Sequence, residues 1–503
     1  MTRPRSDDDD VLRRLGYAPE LSRRLGTFSN FALSFSIICI LAGGVTSFHL
    51  GYCGVGGAAI GLGWPLGCLF ALAVAMTMAQ VASAFPTAGG LYHWAAILGG
   101  RGRGWAVAWL NLAGLVAVLA AIDVGALAFA RGWLSSIIDG VPASPASPTV
   151  QAIGVAAIAG SQAALNHLGV RLTTRLTDAS GYLILVVATA LTAAMLAFAP
   201  GLDPGRLVTF AHFGGPAGGG VWPGSAGPAR LFALGLLLPL YTMTGFDASA
   251  HAAEETVGAA TNVPRGIVRS VLVSGLTGWA MLAAVVMAVP DPAAVAARGE
   301  GAFPFALAAV LPRGLCAALG AGIAAAMYGC GLGATMSASR MAYAFARDGG
   351  LPFSATLRRV GPRHTPAAAI WAVAAASWLF TLWTPAYATI TAVCVILLYL
   401  SYVAPTALGA LAHGRSWRRM GPWDLRGWYR PLAAVSVLGA AGLVAIGVQP
   451  PNGRAAVVLL GMLAALVVGW YGVGRRRFAG PPARLMDAEG AEVAEDTSVE
   501  TTS

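Results

Sequence analysis

The sequence contains no lysine, so all 32 basic residues are arginines, and it has only 22 acidic residues in a chain of 503. Without lysine there is no Walker A motif, which excludes ATP-driven pumping by this chain alone. Charged residues make up 11% of the chain, against about 25% in an ordinary soluble protein. A body so poor in charge does not present a water-soluble surface, which argues against soluble enzymes and DNA-binding proteins. The arginine-only usage, beside abundant Ala and Gly, reads as GC-rich codon bias rather than selection for phosphate binding. The six cysteines form no C-x-x-C pair, there is no H-E-x-x-H, and neither a disulfide framework nor a metal site nor a bound cofactor is expected. Residues 1–28, with six arginines and Asp7 to Asp10, do not resemble a cleavable signal peptide and read as a soluble leader.

What is present is apolar sequence. Hydrophobic residues make up 57% of the chain, and runs of the roughly 20 residues needed to cross a bilayer recur along it. Twelve are counted, at 30–52, 57–84, 104–130, 151–168, 178–199, 230–251, 267–289, 305–341, 365–383, 386–411, 432–449 and 454–474. The expected fold is an all-α membrane protein with 12 transmembrane helices. With the N-terminus inside, 26 arginines fall on the cytoplasmic side and six outside. Positive loops stay cytoplasmic, so this asymmetry supports a multi-pass plasma (inner) membrane protein with both termini in the cytoplasm.

Two runs carry matching interruptions. The first holds Ala42-Gly43-Gly44 and the sixth holds Thr242 to Asp247, each about halfway along. They open consecutive five-helix blocks, and an odd number of helices inverts the second copy. The organisation expected is a leader at 1–28, a first inverted repeat at 29–199 and an external loop at 200–229. A second repeat at 230–411, two extra helices at 412–474 and a disordered acidic cytoplasmic tail at 475–503 complete it. Inverted repeats with broken helices are how secondary transporters build a midplane site.

Ionisable groups inside a membrane are expensive and point to function. Asp123 lies mid-run in the third span, and is either a substrate residue or a carboxylate satisfied by a neighbouring helix. The series Asp247, His251, Glu254, Glu255 falls on one helical face and implies a polar route to the cytoplasm. Asp247 and His251 are candidates for a coupling proton, with packing the alternative for His251. Glu254 and Glu255 either pair with Arg265 or Arg269 as a gate or form a solvated face. At the breaks, the amides of Ala42, Gly43 and Gly44 are the candidate carboxylate cradle, and Thr244, Gly245, Phe246 and Asp247 the candidate amine site. Tyr241 is a candidate aromatic lid, unless it merely packs. The G-x-G fragments at Gly61 and Gly331 read as close helix packing.

Ser83 to Trp94 (SAFPTAGGLYHW), Thr244 to His251 (TGFDASAH) with Glu254-Glu255-Thr256 and Asn262 to Ile267, Ser339 to Pro352, and Leu25 to Phe31 together resemble the amino acid-polyamine-organocation permeases, most of all the amino acid/choline transporter branch. The resemblance covers residues 21–352 by motif and the last four helices by pattern. It implies a five-plus-five inverted repeat with broken helices 1 and 6, two extra helices, alternating access, and an aromatic gate at Tyr241. It also implies small-molecule substrates of the amino acid, 4-aminobutyrate, choline or polyamine class. Gln80 stands where many relatives have Glu, and the helix 5 lysine of some proton-coupled relatives is absent. Hydroxyls of Thr335, Ser337 or Ser339 are the candidates for a sodium site.

The function expected is a permease for amino acids or small amines, coupled to a proton gradient or working by exchange. It is not an enzyme, since no nucleophile–base set lies on facing spans. Sodium-coupled choline-type uptake and a non-transporting amine receptor are the alternatives; the short tail after 474 argues against the receptor. The lipid bilayer is the expected surrounding, nucleic acid is not a partner, and the protein is a monomer or homodimer.

Overall fold

The computed structural model describes residues 8, 12–13, 16–18, 20–21, 23–138, 146–362, 364–383, 387–450 and 452–482. Much of the expected leader, and the acidic tail from 483 onward, lie outside the described residues. Regular structure among the described residues is helical throughout, with no strand and two isolated bridges, Leu25 to Thr256 and His413 to Trp417.

The first apolar run forms α1 (Thr27–Ile37) and α2 (Phe48–Val55), joined through a π turn at Ile40–Gly44. There follow α3 (Trp64–Ala84), α4 (Leu91–Gly99), α5 (Arg101–Ile137), α6 (Pro148–His167) and α7 (Val170–Phe198). The sixth run is divided into α8 (Pro228–Gly235), α9 (Leu237–Thr242) and α10 (Ala248–His251). Beyond it come α11 (Ala259–Ala288), α12 (Arg313–Arg347), α13 (Ala367–Trp383), α14 (Tyr387–Ala412), α15 (Tyr429–Gly447) and α16 (Gly453–Gly469).

Each expected run is therefore helical, with one redrawn. The eighth, read as continuous over 305–341, is two helices, Ala302–Val310 and α12. Pro312 disfavours helical backbone at the residue before it, and Leu311 is extended with ψ 146°. Nine helices among the described residues are long and apolar enough to cross a membrane, and Pro228–Thr242, Gly299–Val310 and Ala367–Trp383 are shorter apolar helices. α6 is not one of the nine, because Gln151, Gln162, Asn166 and His167 dilute its hydropathy.

α5 runs through the middle of the bundle, packed by α4, α12, α13 and α14, while α11 packs on α1, α3 and α7. Large apolar side chains such as Val186, Leu276, Leu438 and Val468 point outward and are more than half exposed. An apolar exterior around a core holding Asp123, Asp247 and His251 is inside-out for water and suited to lipid. The protein is a multi-pass helical membrane protein.

Candidate functional site

The two interrupted helices meet. Gly245 has φ +96°, a conformation open to glycine and strained for other residues, and a Cβ there would lie 2.2 Å from Ile37 Cγ2 at the end of α1. On the other side of the contact, a Cβ on Gly43 would stand 2.8 Å from Thr242 Cα. The glycines thus serve helix contact rather than leaving room for a ligand. The true discontinuity of the first run lies earlier than expected, at Ile38 and Cys39, where Cys39 has ψ 102°. The amides of Ala42 and Gly43 both donate to Cys39 O at 2.8 Å, which closes them into the π turn instead of leaving them as a cradle. Gly44 faces Trp64 and Leu282.

At the second break Asp247 is fully buried and fully engaged. Its Oδ1 accepts from the Tyr402 hydroxyl at 2.8 Å, and its Oδ2 accepts from Asn111 Nδ2 at 3.0 Å. Oδ2 also lies 3.2 Å from His251 Nε2. Tyr402 in turn accepts from the Gly245 amide at 3.1 Å, so one tyrosine of α14 fixes both the strained glycine and the carboxylate. His251 Nδ1 faces Ala88 O at 3.4 Å. Because a carbonyl only accepts, a bond there puts the proton on Nδ1, and the Nε2–Oδ2 contact then needs one more proton on either partner. Thr244 Oγ1 donates to Tyr241 O, Phe246 O accepts from Ser34 Oγ, and the Phe246 ring sits 4.7 Å from that of Tyr402. Ser34 and Asn30 of α1 also bond Ser249, fastening α1 to α10.

The expected four-residue stripe is split, since α10 ends at His251 and Glu254 and Glu255 occupy a 3₁₀ turn, Ala253–Glu255. Their partners are not Arg265 and Arg269, which are exposed on α11, but two arginines of α12. Glu254 takes two bonds from Arg347, at 2.9 and 3.0 Å, and Glu255 takes one from Arg340 Nε at 2.8 Å. Arg340 and Arg347 are seven residues apart, two helical turns, and so share a face. Burial alone would raise the Glu254 carboxyl, but the Arg347 guanidinium and the Ala88 amide hold it below the usual range. The N-terminal segment covers this closure. Arg347 lies 3.9 Å over the Tyr17 ring, and the Tyr17 hydroxyl meets His93 Nε2 and Asp348.

At the opposite end of the bundle a cavity of about 760 Å³ opens between α2, α5, α12 and α14. Its walls include Thr46, His49, Val124, Trp133, Cys316 and Tyr387, with Arg131, Glu300 and Arg313 among its charged residues. The helical rise puts Cys316 about 36 Å from Arg340 along α12, so cavity and ion-paired closure lie at opposite ends. Tyr387 bonds Thr46 Oγ1 at 2.5 Å and stands edge-on to Tyr241, with ring centroids 6.2 Å apart. None of the substrate residues expected from sequence lines the cavity. Tyr241 lies behind Tyr387, and the crossing of the breaks lies deeper still. Asp123 is turned to α6 rather than to the break: Gln162 Nε2 donates to its Oδ1 at 3.0 Å and its Oδ2 has no partner. Of the candidate sodium hydroxyls, Ser339 donates to Met336 O and Thr335 to Gln162.

Distance along the chain hid Asn111 of α5, Tyr402 of α14, and Arg340 and Arg347 of α12 from sequence reasoning. A polar residue inside an apolar run was the available signal for Asn111, Tyr402 and Arg340, whereas Arg347 lies past the end of the eighth run.

The amino acid permease family profile matches residues 25–471. The chain belongs to that family. The permease is 30% identical to amino-acid permease BAT1 of Arabidopsis thaliana over 94% of this chain and 96% of that one. It is 31% identical to the BAT1 homolog of Oryza sativa subsp. japonica, over 94% and 95% of the two chains. It is also 26% identical to the GABA-specific permease of Saccharomyces cerevisiae, over 97% of this chain and 88% of that one. These relatives are named as transporters, and the permease is not an enzyme.

Proposed function

We propose that this permease moves amino acids or related small amines across the plasma membrane by alternating access. In this reading twelve spans form a five-plus-five inverted repeat with two added helices, and both termini are cytoplasmic. One observation carries it: two interrupted helices cross between a cavity open at one end and an ion-paired closure at the other. A site reachable from one side at a time is what alternating access requires. The arginine distribution supports putting the Arg340–Arg347 end in the cytoplasm, which makes this conformation outward-facing. Similarity to a GABA-specific permease supports 4-aminobutyrate among the substrates.

The buried contact between Asp247 and His251 joins two groups able to carry a proton, which supports proton coupling over sodium. Uptake into proteoliposomes tests the reading, over amino acids, 4-aminobutyrate, choline, ethanolamine and polyamines, with and without proton or sodium gradients. Proton-dependent or exchange-driven uptake of an amino acid is expected. Sodium dependence would favour choline-type coupling. Binding without transport would favour a receptor on the same fold, and no response to any compound would overturn the reading.

A further inference from the structure

We propose that Arg101, Arg103, Arg475, Arg476 and Arg477 form a binding site for anionic phospholipid headgroups whose occupant steadies the closed end of the bundle; the assignment rests on the reading above that this end is cytoplasmic. α16 faces outward along almost its whole length. It continues through a π turn, Trp470–Gly474, into Arg475–Arg477, three residues that stand exposed where the apolar stretch stops. Arg101 and Arg103, also exposed, open α5. The two segments are packed together. A Cβ on Gly102 would stand 3.1 Å from Trp470 Cζ2, and the rings of Trp105 and Trp470 lie 5.7 Å apart. Past the arginines the chain returns to α5, where a Cβ on Gly480 would stand 2.9 Å from Arg101 Cγ. Five arginines thus meet at one corner of the bundle.

Two features select a lipid headgroup. Among the described residues no carboxylate pairs with any of the five, and the one hydrogen bond they make runs from Arg103 Nη1 to Gly99 O at 3.2 Å. Guanidinium forks match phosphate oxygens, and like charges gathered without acids favour an anion. The second feature is depth. The patch ends a lipid-facing helix, with Trp470 beside it and Tyr471 exposed, which is where aromatic rings and arginines meet headgroups. The link to the closure follows from the next residues. Phe478 is buried against Tyr92 and Phe345, with ring centroids 6.5 and 5.6 Å away, and the Ala479 amide donates to Asp348 O at 3.3 Å. Asp348 follows Arg347, the partner of Glu254, so a headgroup that holds Arg475–Arg477 also holds the strap lying against that pair.

The test places full-length protein in nanodiscs of phosphatidylcholine, alone or with about 30% phosphatidylglycerol, and reads the melting temperature. Wild type is expected to melt about 3 °C or more higher with phosphatidylglycerol, and about 0.5 M salt should erase the gain. R475Q/R476Q/R477Q and R101Q/R103Q should each lose about half of the gain or more. R265Q/R269Q, which removes two exposed arginines of α11, should keep it. If a combined variant does not fold, the single exposed substitutions R101Q and R476Q replace it, each expected to lose part of the gain. Absence of a gain in wild type overturns the site, and so does a gain that the site variants retain. An equal loss from R265Q/R269Q would mean that general surface charge suffices, and overturns it too. A fall in melting that is the same in both lipids would make the acidic tail the partner instead. Hydrogen exchange over 253–257 and 478–482 should slow with phosphatidylglycerol in wild type and not in the site variants; unchanged exchange there overturns the link to the closure. Neither readout needs transport, so failure of the permease reading in uptake assays leaves this test standing.

Discussion

Gly43 and Thr242 hold the two broken helices so close that a Cβ on the glycine would stand 2.8 Å from Thr242 Cα and 2.9 Å from its Oγ1. The nearest of these atoms, Thr242 Cα, is backbone and cannot rotate away. Gly43→Ala is therefore expected to destabilise the protein by about 1–3 kcal/mol through overpacking, and to depress uptake as the crossing is pushed apart. Thermal melting in detergent and uptake check this together; a variant with wild-type values in both would mean that the crossing is loosely packed.

Asp247 is expected to be indispensable. Asp247→Asn keeps the shape but loses the charge, and uptake should vanish while expression and folding remain. Tyr402→Phe removes the bond to Asp247 and the acceptor for the Gly245 amide at once. Loss of a bond to a charged group costs about 1.5–3 kcal/mol, so uptake should fall about ten- to a hundredfold. Retained transport in D247N would demote this carboxylate to a structural role.

Breaking one side of the closure should cost more than its contacts suggest. Arg347→Ala leaves Glu254 buried without its partner, a loss of about 3–5 kcal/mol for a buried pair. The exchanged pair E254R/R347E is expected to recover part of the melting temperature, because the geometry is two-point and reversible in sign. If the exchange recovers nothing, the pair is held by its surroundings and not by its own attraction.

The same pair sets an acid limit. The Glu254 carboxyl is held below its ordinary value, so its stabilisation is present above the unfolded glutamate pKa of about 4.3 and is lost as pH falls through the lower folded value. Wild-type melting should then be unaffected by this group near neutrality and fall in strong acid. E254Q starts lower and lacks that component, so the gap between the two narrows as pH drops. A gap that stays constant down to pH 3 contradicts the assignment.

Asp123→Asn is expected to be mild. Asparagine still accepts from Gln162 through its side-chain oxygen, and it removes a carboxylate whose second oxygen has no partner. Uptake close to wild type is the expected result; a severe loss with intact folding would return Asp123 to the transport site.

Helix placement was legible because apolar length is set by the bilayer and acts locally: each of the twelve runs falls on helix, with the eighth divided at Pro312 and the helices over 170–198 and 259–288 beginning eight residues earlier than the runs. The second break was legible as well, since Thr244-Gly245 cannot easily sustain a helix. The first was misplaced because Gly43-Gly44 attracted attention, whereas these glycines answer to Thr242 and Trp64 across the bundle and the chain opens at Cys39. Pairing was the least legible. Arg265 was nearer Glu254 in sequence than Arg347, but only the packing of α12 on α10 decides which guanidinium arrives.

Leu25 exchanges backbone bonds with the turn that carries both closing glutamates: its amide donates to Glu255 O at 2.9 Å and its carbonyl accepts from Val257 N at 3.0 Å. The stretch before the first helix is thereby stitched to one side of Glu254 and Glu255, while Arg340 and Arg347 grip the other. Opening at that end cannot be the swing of one side chain; it has to unzip main chain or carry the N-terminal stretch along. In the proposed transport cycle those early residues travel with the closure, and trimming them to tidy a clone for expression would remove half of the latch.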